Sequence, residues 1–378
     1  MKKIVVLGGG PCGIMASYQI KKNHPSYQVY LIDKQTIGKR IKVSGNGRCN
    51  FSNDNINKDF YYNGELIEDI LLEYKEYEKT FYQEINLHYY SDNEGRRYPL
   101  TDSSKTVLDK LKSGLNKVGV IIKENEEFIR LEKLDNQYKI ITSLSTYIVD
   151  KVIFAFGGVS QLYQKENYLN SINSIPYQLQ VNNLCSSLCP IKVEEKIDKK
   201  AVGKRASAVV TVKYLNQIVY QEKGEIIFKK DGISGIVIFN VSSFLSNKKN
   251  LSNYKIFINF IDGINQEQIT DELNRFNDEE VVSSYVVEEI KDMIISRYKN
   301  IYQGLSNFEL TVKELYPLQE SQVTRGGINL NQLDLSTLSL KQDPNIYFGG
   351  EMIDVDGRCG GYNIFFAFAS GYRISKSI

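Results

Sequence analysis

Gly8-Gly9-Gly10-Pro11-Cys12-Gly13 fits G-x-G-x-x-G, and a carboxylate, Asp33, stands 20 residues beyond Gly13. Those residue types at that spacing can hold the adenosine diphosphate half of a dinucleotide. Gly8 permits a tight turn, Gly10 lets backbone approach a pyrophosphate, and Gly13 lets a helix touch a strand. Pro11 suits a first helical position, where the amide hydrogen it lacks would have had no partner. The free N–H groups that follow, Cys12 included, and the positive end of the helix dipole would point at phosphates. Asp33 would accept hydrogen bonds from ribose hydroxyls, with Lys34 beside it. To work, the glycines must lie between a strand and a helix. The apolar run Ile4 to Leu7 reads as a buried parallel strand, and a second strand, Gln28 to Ile32, delivers Asp33 at its end. This β-α-β unit does not choose between FAD and a nicotinamide dinucleotide, which share the same adenosine diphosphate half.

The chain has 378 residues, 42% hydrophobic and 24% charged, ordinary values for a globular protein of two or three domains. A net charge of +2 gives no general attraction to nucleic acid or an anionic membrane, and the paired lysines at 199–200, 229–230 and 248–249 are short and scattered. No run approaches the roughly 18 apolar residues of a membrane span, and the N-terminal apolar run is too short for a signal-peptide core. A cytoplasmic protein with five reduced cysteines is expected. Cys185 and Cys189 have no second ligand cluster nearby, and His24 and His88 are the only histidines, so neither a metal centre nor a histidine triad is expected.

Gly38 to Asn53 is a turn-rich loop with four basic side chains. Helices are expected over Glu65 to Glu84 and Ser103 to Lys117, and strands over Val118 to Ile122, Glu127 to Leu131, Tyr138 to Thr142 and Tyr147 to Phe156. Phe128 and Ala155 lie on two of these strands, and Gly157 follows the last. From about Pro190 short strands with turn signals (Ala208 to Tyr214, Gln217 to Gln221, Glu225 to Phe228, Ile236 to Val241, Lys255 to Ile261) suggest a small inserted β-barrel or sandwich. Helices over Asn265 to Phe276 and Glu279 to Tyr298 follow, the second with a stripe of Val282, Val286, Ile290 and Met293 that reads as a face packed on a neighbouring domain. Strand Ile346 to Phe348, then Gly349-Gly350-Glu351 and Gly360-Gly361 before a final helix, return to the chemistry of the opening. The expected architecture is α/β: a discontinuous Rossmann-like domain over 1–189 and 315–378, an inserted β-barrel domain over 190–262 and a helical domain over 263–314.

Three stretches are similar to a family. Lys42-Val43-Ser44-Gly45-Asn46-Gly47-Arg48-Cys49-Asn50, Gly95-Arg96-Arg97-Tyr98-Pro99-Leu100-Thr101-Asp102-Ser103, and Gly349 to Gly371 resemble motifs of bacterial three-domain NAD(P)/FAD-dependent oxidoreductases, the aminoacetone-oxidase-family FAD-binding enzymes. Shorter echoes are Asp231 to Gly235 and Val323 to Gly327. The resemblance implies FAD. It implies that Glu351, with Gly350 and Asp354 around it, meets the ribityl chain, and that Gly361, Tyr362 and Asn363 at the last helix direct amides to the flavin N1/C2=O edge. It places Ser44 to Asn50 against the isoalloxazine, where Arg48 and Lys42 could neutralise phosphate or reduced-flavin charge. Phe128, Ala155 and Gly157 complete the candidate cofactor contacts.

After Gly157-Gly158 the family's S-Y-P-x-x-G-S-T-G-D-G-Y is replaced by residues 159–167 without its glycine-acid turn, so one wall of the pocket must be built differently. Cys49 and Cys359 both fall in flavin-proximal motifs, and two unrelated small residues is the reading preferred over a redox pair. No residue stands out as acid or base; Tyr98 and Tyr362 are the tyrosines to examine. The reading is an FAD-dependent oxidoreductase moving a hydride between bound flavin and a small organic substrate or NAD(P)H, the latter docking briefly because only one glycine fingerprint is present. The alternatives are an amine oxidase using oxygen, a flavin-binding protein without turnover, and an NAD-dependent dehydrogenase, which would be colourless.

Overall fold

The computed structural model describes residues 1–160 and 165–378. The chain divides into two compact units, Met1–Leu184 with Val323–Ile378, and Cys185–Gln322.

The first unit is built on β1 (Lys3–Leu7), α1 (Pro11–Asn23), β2 (Gln28–Ile32), α2 (Gly64–Glu84), α3 (Ser104–Val118), β3 (Ile121–Lys123), β4 (Lys151–Phe154), β5 (Asp343–Phe348) and α4 (Tyr362–Lys376). The five strands run parallel in the order β3-β2-β1-β4-β5, and Ser339–Leu340 and Leu333–Asp334 add two antiparallel strands at the β5 edge. Ile4, Val5 and Val6 are fully buried, which is why β1 reads as a continuous apolar run without alternation. From β1 the chain winds to β2 and β3 on one side and returns to β4 and β5 on the other. The carboxyl ends of β1 and β4 therefore flank the switch point where open α/β sheets bind ligands.

Between β3 and β4 stands an antiparallel sheet of Phe128–Lys133, Tyr138–Thr142 and Thr146–Val149. The single strand expected over Tyr147 to Phe156 is thus two, split at Asp150, whose side chain and amide bond the backbone of Lys3. α4 packs on α1 at a point where a Cβ on Gly371 would stand 2.3 Å from the Cys12 carbonyl, so the two helices meet backbone to backbone. Aromatic contacts of Tyr74 with Phe365 and Phe368 join α2 to α4.

The second unit is a closed six-stranded antiparallel barrel, in the order Ile191–Val193, Gly232–Ser234, Gln217–Lys229, Arg205–Tyr214, Tyr254–Asn259, Phe308–Leu315. The strands expected at Gln217 to Gln221 and Glu225 to Phe228 are one. The strand expected over Ile236 to Val241 is instead the helix Ile236–Leu245. Its buried Val237, Val241 and Leu245 recur every fourth residue, a helical period masked by the four successive apolar residues Ile236 to Phe239. The helix Glu279 to Tyr298 is broken into Asp278–Ser283 and Glu288–Arg297. Its stripe of Val282, Val286, Ile290 and Met293 is buried in the same core as Val210, Phe228, Ile256 and Phe308 of the barrel. The helices and the barrel of this unit thus share one hydrophobic core instead of forming two.

Candidate cofactor site

The turn after β1 uses its glycines in two ways. Gly8 has φ +114°, and a Cβ there would stand 2.2 Å from the Ala155 carbonyl oxygen; a Cβ on Gly13 would stand 1.9 Å from that of Gly8. Both are demanded by close backbone approach within the protein. Gly10 differs: its φ is an ordinary −79°, and among the described residues, its immediate chain neighbours aside, no heavy atom lies within 4 Å of where its Cβ would stand. The space before α1 is open, Pro11 occupies the first helical position, and no side chain caps the helix. Gly9, an unspecified position in the motif, is required too. A Cβ there would fall 2.4 Å from Ile37 Cγ2, and its carbonyl accepts from the Gly38 amide at 2.7 Å. The run of three successive glycines was the signal for it.

Asp33 stands beside the turn. Its Oδ2 accepts from the Gly9 amide and its Oδ1 from the Gln35 amide, each at 2.7 Å, and burial raises its carboxyl above the usual range despite those bonds. Lys34 is exposed. Ala155 is buried against Gly8, whereas Gly157, with φ +76°, faces open space. Phe128 is a core side chain, packed on Phe154 and Phe156 at 5.5 and 5.6 Å, so only its backbone is left to meet a ligand.

The C-terminal segment builds the other side. Gly350, with φ +66°, donates to Ser370 Oγ at 2.8 Å. Glu351 Oε1 accepts from the Thr324 amide at 2.7 Å, and Gly158 packs so closely that a Cβ on it would stand 2.2 Å from that oxygen. Burial raises the Glu351 carboxyl, with Arg40 and Thr324 opposing the shift. Asp354 is turned inward: its Oδ1 accepts from Gly326 N at 3.0 Å and its Oδ2 from Asn182 Nδ2 at 2.6 Å. Beside it Asp356 and Arg325 form a buried bidentate pair, with Arg325 over the Tyr62 ring at 4.0 Å. Glu351, Asp354 and Asp356 thereby clasp successive residues of Val323–Ile328, which accounts for the short Val323 to Gly327 echo.

The two motif segments meet at α4. The Asn50 amide, oriented by its partners, donates to the Ser52 carbonyl and accepts from Gly361 N at 3.2 Å. Gly361, with φ +98°, begins α4 without a side-chain cap. Asn363 pins the Gly357 turn, its Oδ1 accepting from Gly357 N and its Nδ2 donating to Gly357 O, both at 2.8 Å, and Tyr362 is buried against Phe60 and Tyr61. Gly45, Asn46 and Gly47 are exposed left-handed residues beside half-buried Ser44, and Lys42 is exposed. Exposed Arg48 stacks its guanidinium over Tyr98 at 4.3 Å. Burial raises the Tyr98 phenol, so it holds its proton at neutral pH. Cys49 is fully buried and its thiol is pushed up to about 12, as is that of Cys12, an environment opposed to thiolate chemistry. Of the divergent 159–167 segment, residues 161–164 lie outside the described residues. Val159 and Ser160 donate their amides to Thr324 Oγ1, each at 2.9 Å.

The residues present fit FAD. Gly10 and Gly157 face space that a Cβ would partly fill, α1 and α4 begin uncapped, and Asp33 is fixed beside the turn. In addition the buried Tyr168 hydroxyl, within electrostatic reach of Glu351, has no hydrogen-bond partner among the described residues.

A parallel 3-2-1-4-5 sheet with this turn, and a flavin-side segment returning from the C-terminus, define a Rossmann-type FAD-dependent oxidoreductase. The chain belongs to the HI0933-like protein Rossmann domain family, whose model matches residues 2–377. It is 25% identical to a 3-dehydro-bile acid delta(4,6)-reductase of Clostridium scindens, over 100% of this chain and 99% of that one. It is 22% identical to a ribosomal RNA dihydrouridine synthase of Haemophilus influenzae, over 99% and 98%. Among solved structures, the quinol fumarate reductase FrdA of E. coli matches at TM-score 0.51 and 10% identity, over 100% of this chain and 70% of that one. A 3-ketosteroid delta1-dehydrogenase of Sterolibacterium denitrificans matches at 0.50 and 11%, over 100% and 99%. These two speak for the fold alone. No helix among the described residues is long and apolar enough to cross a membrane.

Proposed function

We propose that this flavoenzyme is a reductase of a carbon–carbon double bond conjugated to a carbonyl in a small organic substrate, with NAD(P)H as transient electron donor. The names of both curated relatives describe that one chemistry, since an unsaturated 3-oxo steroid and the uracil ring each present an alkene polarised by a carbonyl. The observation that carries the cofactor part is Gly10, open in front of an uncapped α1 while its neighbours Gly8 and Gly13 are closed by packing.

Bound FAD supplies the hydride transfer. The α1 amides and Gly10 would hold the diphosphate, and Asp33 would accept from the ribose hydroxyls. Glu351 would accept from the ribityl chain, and the first amides of α4, with the dipole at that helix end, would orient the ring. Ser44 to Asn50, tied to the start of α4 by Asn50, would line the ring's side of the site. Tyr98 keeps a proton beside this loop. With one glycine fingerprint, the pyridine nucleotide has no Rossmann site of its own and docks where the substrate does.

A second reading keeps the chemistry and changes the substrate to a uracil of ribosomal RNA, favoured by the relatives that carry that name. Anaerobic addition of NADH or NADPH followed by candidate acceptors tests both. The small-molecule reading expects bleaching of the flavin bands by a pyridine nucleotide and their recovery with a conjugated 3-oxo steroid. Recovery with ribosomal RNA alone moves the substrate to RNA, recovery with oxygen alone makes the protein an oxidase, and no bleaching by either nucleotide overturns the proposed donor.

A further inference from the structure

We infer that Arg40 supplies the positive charge facing the cofactor's diphosphate, a task for which the sequence pattern favours Lys42 and Arg48; this rests on the FAD reading above. Arg40 lies on the short helix Lys39–Val43, which starts from Gly38 at φ +74°. That start is fastened to the glycine turn itself, because the Gly38 amide donates to the Gly9 carbonyl at 2.7 Å and the Ile37 side chain fills the space next to Gly9. From there the half-buried Arg40 guanidinium donates to the Ser160 carbonyl, beyond the end of β4, and lies within electrostatic reach of Glu351, beyond β5. The segment thus starts at the glycine turn after β1, and its guanidinium reaches the chain that follows β4.

The other two cations are placed differently. Lys42 is exposed, and its carbonyl holds Ser104 Oγ at 2.7 Å. Arg48 is exposed and lies on the Tyr98 ring. A diphosphate brings about two negative charges, while a helix N-terminus offers only about half a positive one, so the turn needs a cation close by. A half-buried guanidinium is screened far less than an exposed one, and its planar fork matches two phosphate oxygens.

Binding of FAD and of ADP to the flavin-stripped full chain tests this, by flavin fluorescence quenching and by calorimetry, at several salt concentrations. Arg40→Gln is expected to weaken both ligands about tenfold or more and to flatten the salt dependence of FAD binding. Arg40→Lys should recover most of the affinity, and Arg48→Gln should leave ADP within about twofold of wild type. The inference is overturned if Arg40→Gln binds ADP as wild type does, if its loss comes with an unchanged salt dependence, or if Arg48→Gln loses as much. A wild-type chain that binds neither FAD nor ADP would overturn the FAD reading itself, which is a separate result.

Discussion

Three helices of the barrel unit begin differently from the two at the candidate cofactor site of the first unit. In the barrel unit Gln266–Leu273 and Asp278–Ser283 start on Asn265 and Asn277, with capping boxes closed by Gln268 and Glu280, and Ile301–Ser306 starts on Asn300. These helices satisfy their own first amides. In the first unit α1 and α4 start on Gly10 and Gly361 without a side-chain cap; α2, α3 and, in the barrel unit, Glu288–Arg297 lack one as well, so a missing cap alone does not mark a ligand site. A glycine start is not enough by itself: on Gly235, which starts Ile236–Leu245, a Cβ would fall 2.3 Å from the Glu225 carbonyl, and on Gly361 it would fall 2.2 Å from the Ser52 carbonyl, so packing explains both residues. Gly10 has no such neighbour among the described residues, and the proposed reading is that its small size leaves room for the cofactor.

That contrast can be broken in descending steps. Gly13→Ala forces a Cβ into the Gly8 carbonyl and should cost about 3 kcal/mol in denaturant unfolding of the apoprotein. Gly10→Ala should leave that unfolding curve unchanged, yet weaken FAD about 30-fold, or roughly 2 kcal/mol, in a fluorescence titration. Equal effects of the two would erase the distinction between packing and ligand glycines. Asn277→Ala should cost about 1 kcal/mol of stability through its lost cap, with FAD affinity unchanged.

Glu351 gives a smaller, pH-dependent effect. Its carboxyl is raised by burial in the folded state, so its favourable contribution is full below the ordinary carboxylate range and is lost as pH rises through the raised folded value. Glu351→Gln removes that loss. The variant apoprotein should be more stable than wild type by under about 1 kcal/mol at neutral pH, with the gain vanishing near pH 4, while FAD binds more weakly. Melting curves across pH check the sign. Smallest of all, Cys49→Ala should leave the number of electrons taken up in an anaerobic titration unchanged, since its thiol is buried and pushed up to about 12.

The parts of the site that sequence discloses are those whose chemistry is local. Gly8 to Gly13, Asp33 and the strands around them carry their spacing within one β-α-β unit. What it does not disclose depends on distant partners. Asp354 sits in a flavin-side motif, but Gly326 and Asn182 take both its oxygens. Arg40 lies in the same basic loop as Arg48 and Lys42, and its contact with Ser160, 120 residues away, helps set it apart. The Ile236–Leu245 helix was hidden for another reason, since its opening apolar run, Ile236 to Phe239, fits either period.

The most direct test of the central claim is the visible spectrum of the purified chain after reconstitution with FAD and desalting, beside that of Gly10→Ala. Flavin bands at about one FAD per chain, much reduced in the variant at equal thermal stability, are the predicted result. A wild-type chain that stays colourless, or a variant that retains FAD as wild type does, would contradict the account of α1 and Gly10 as the seat of the cofactor.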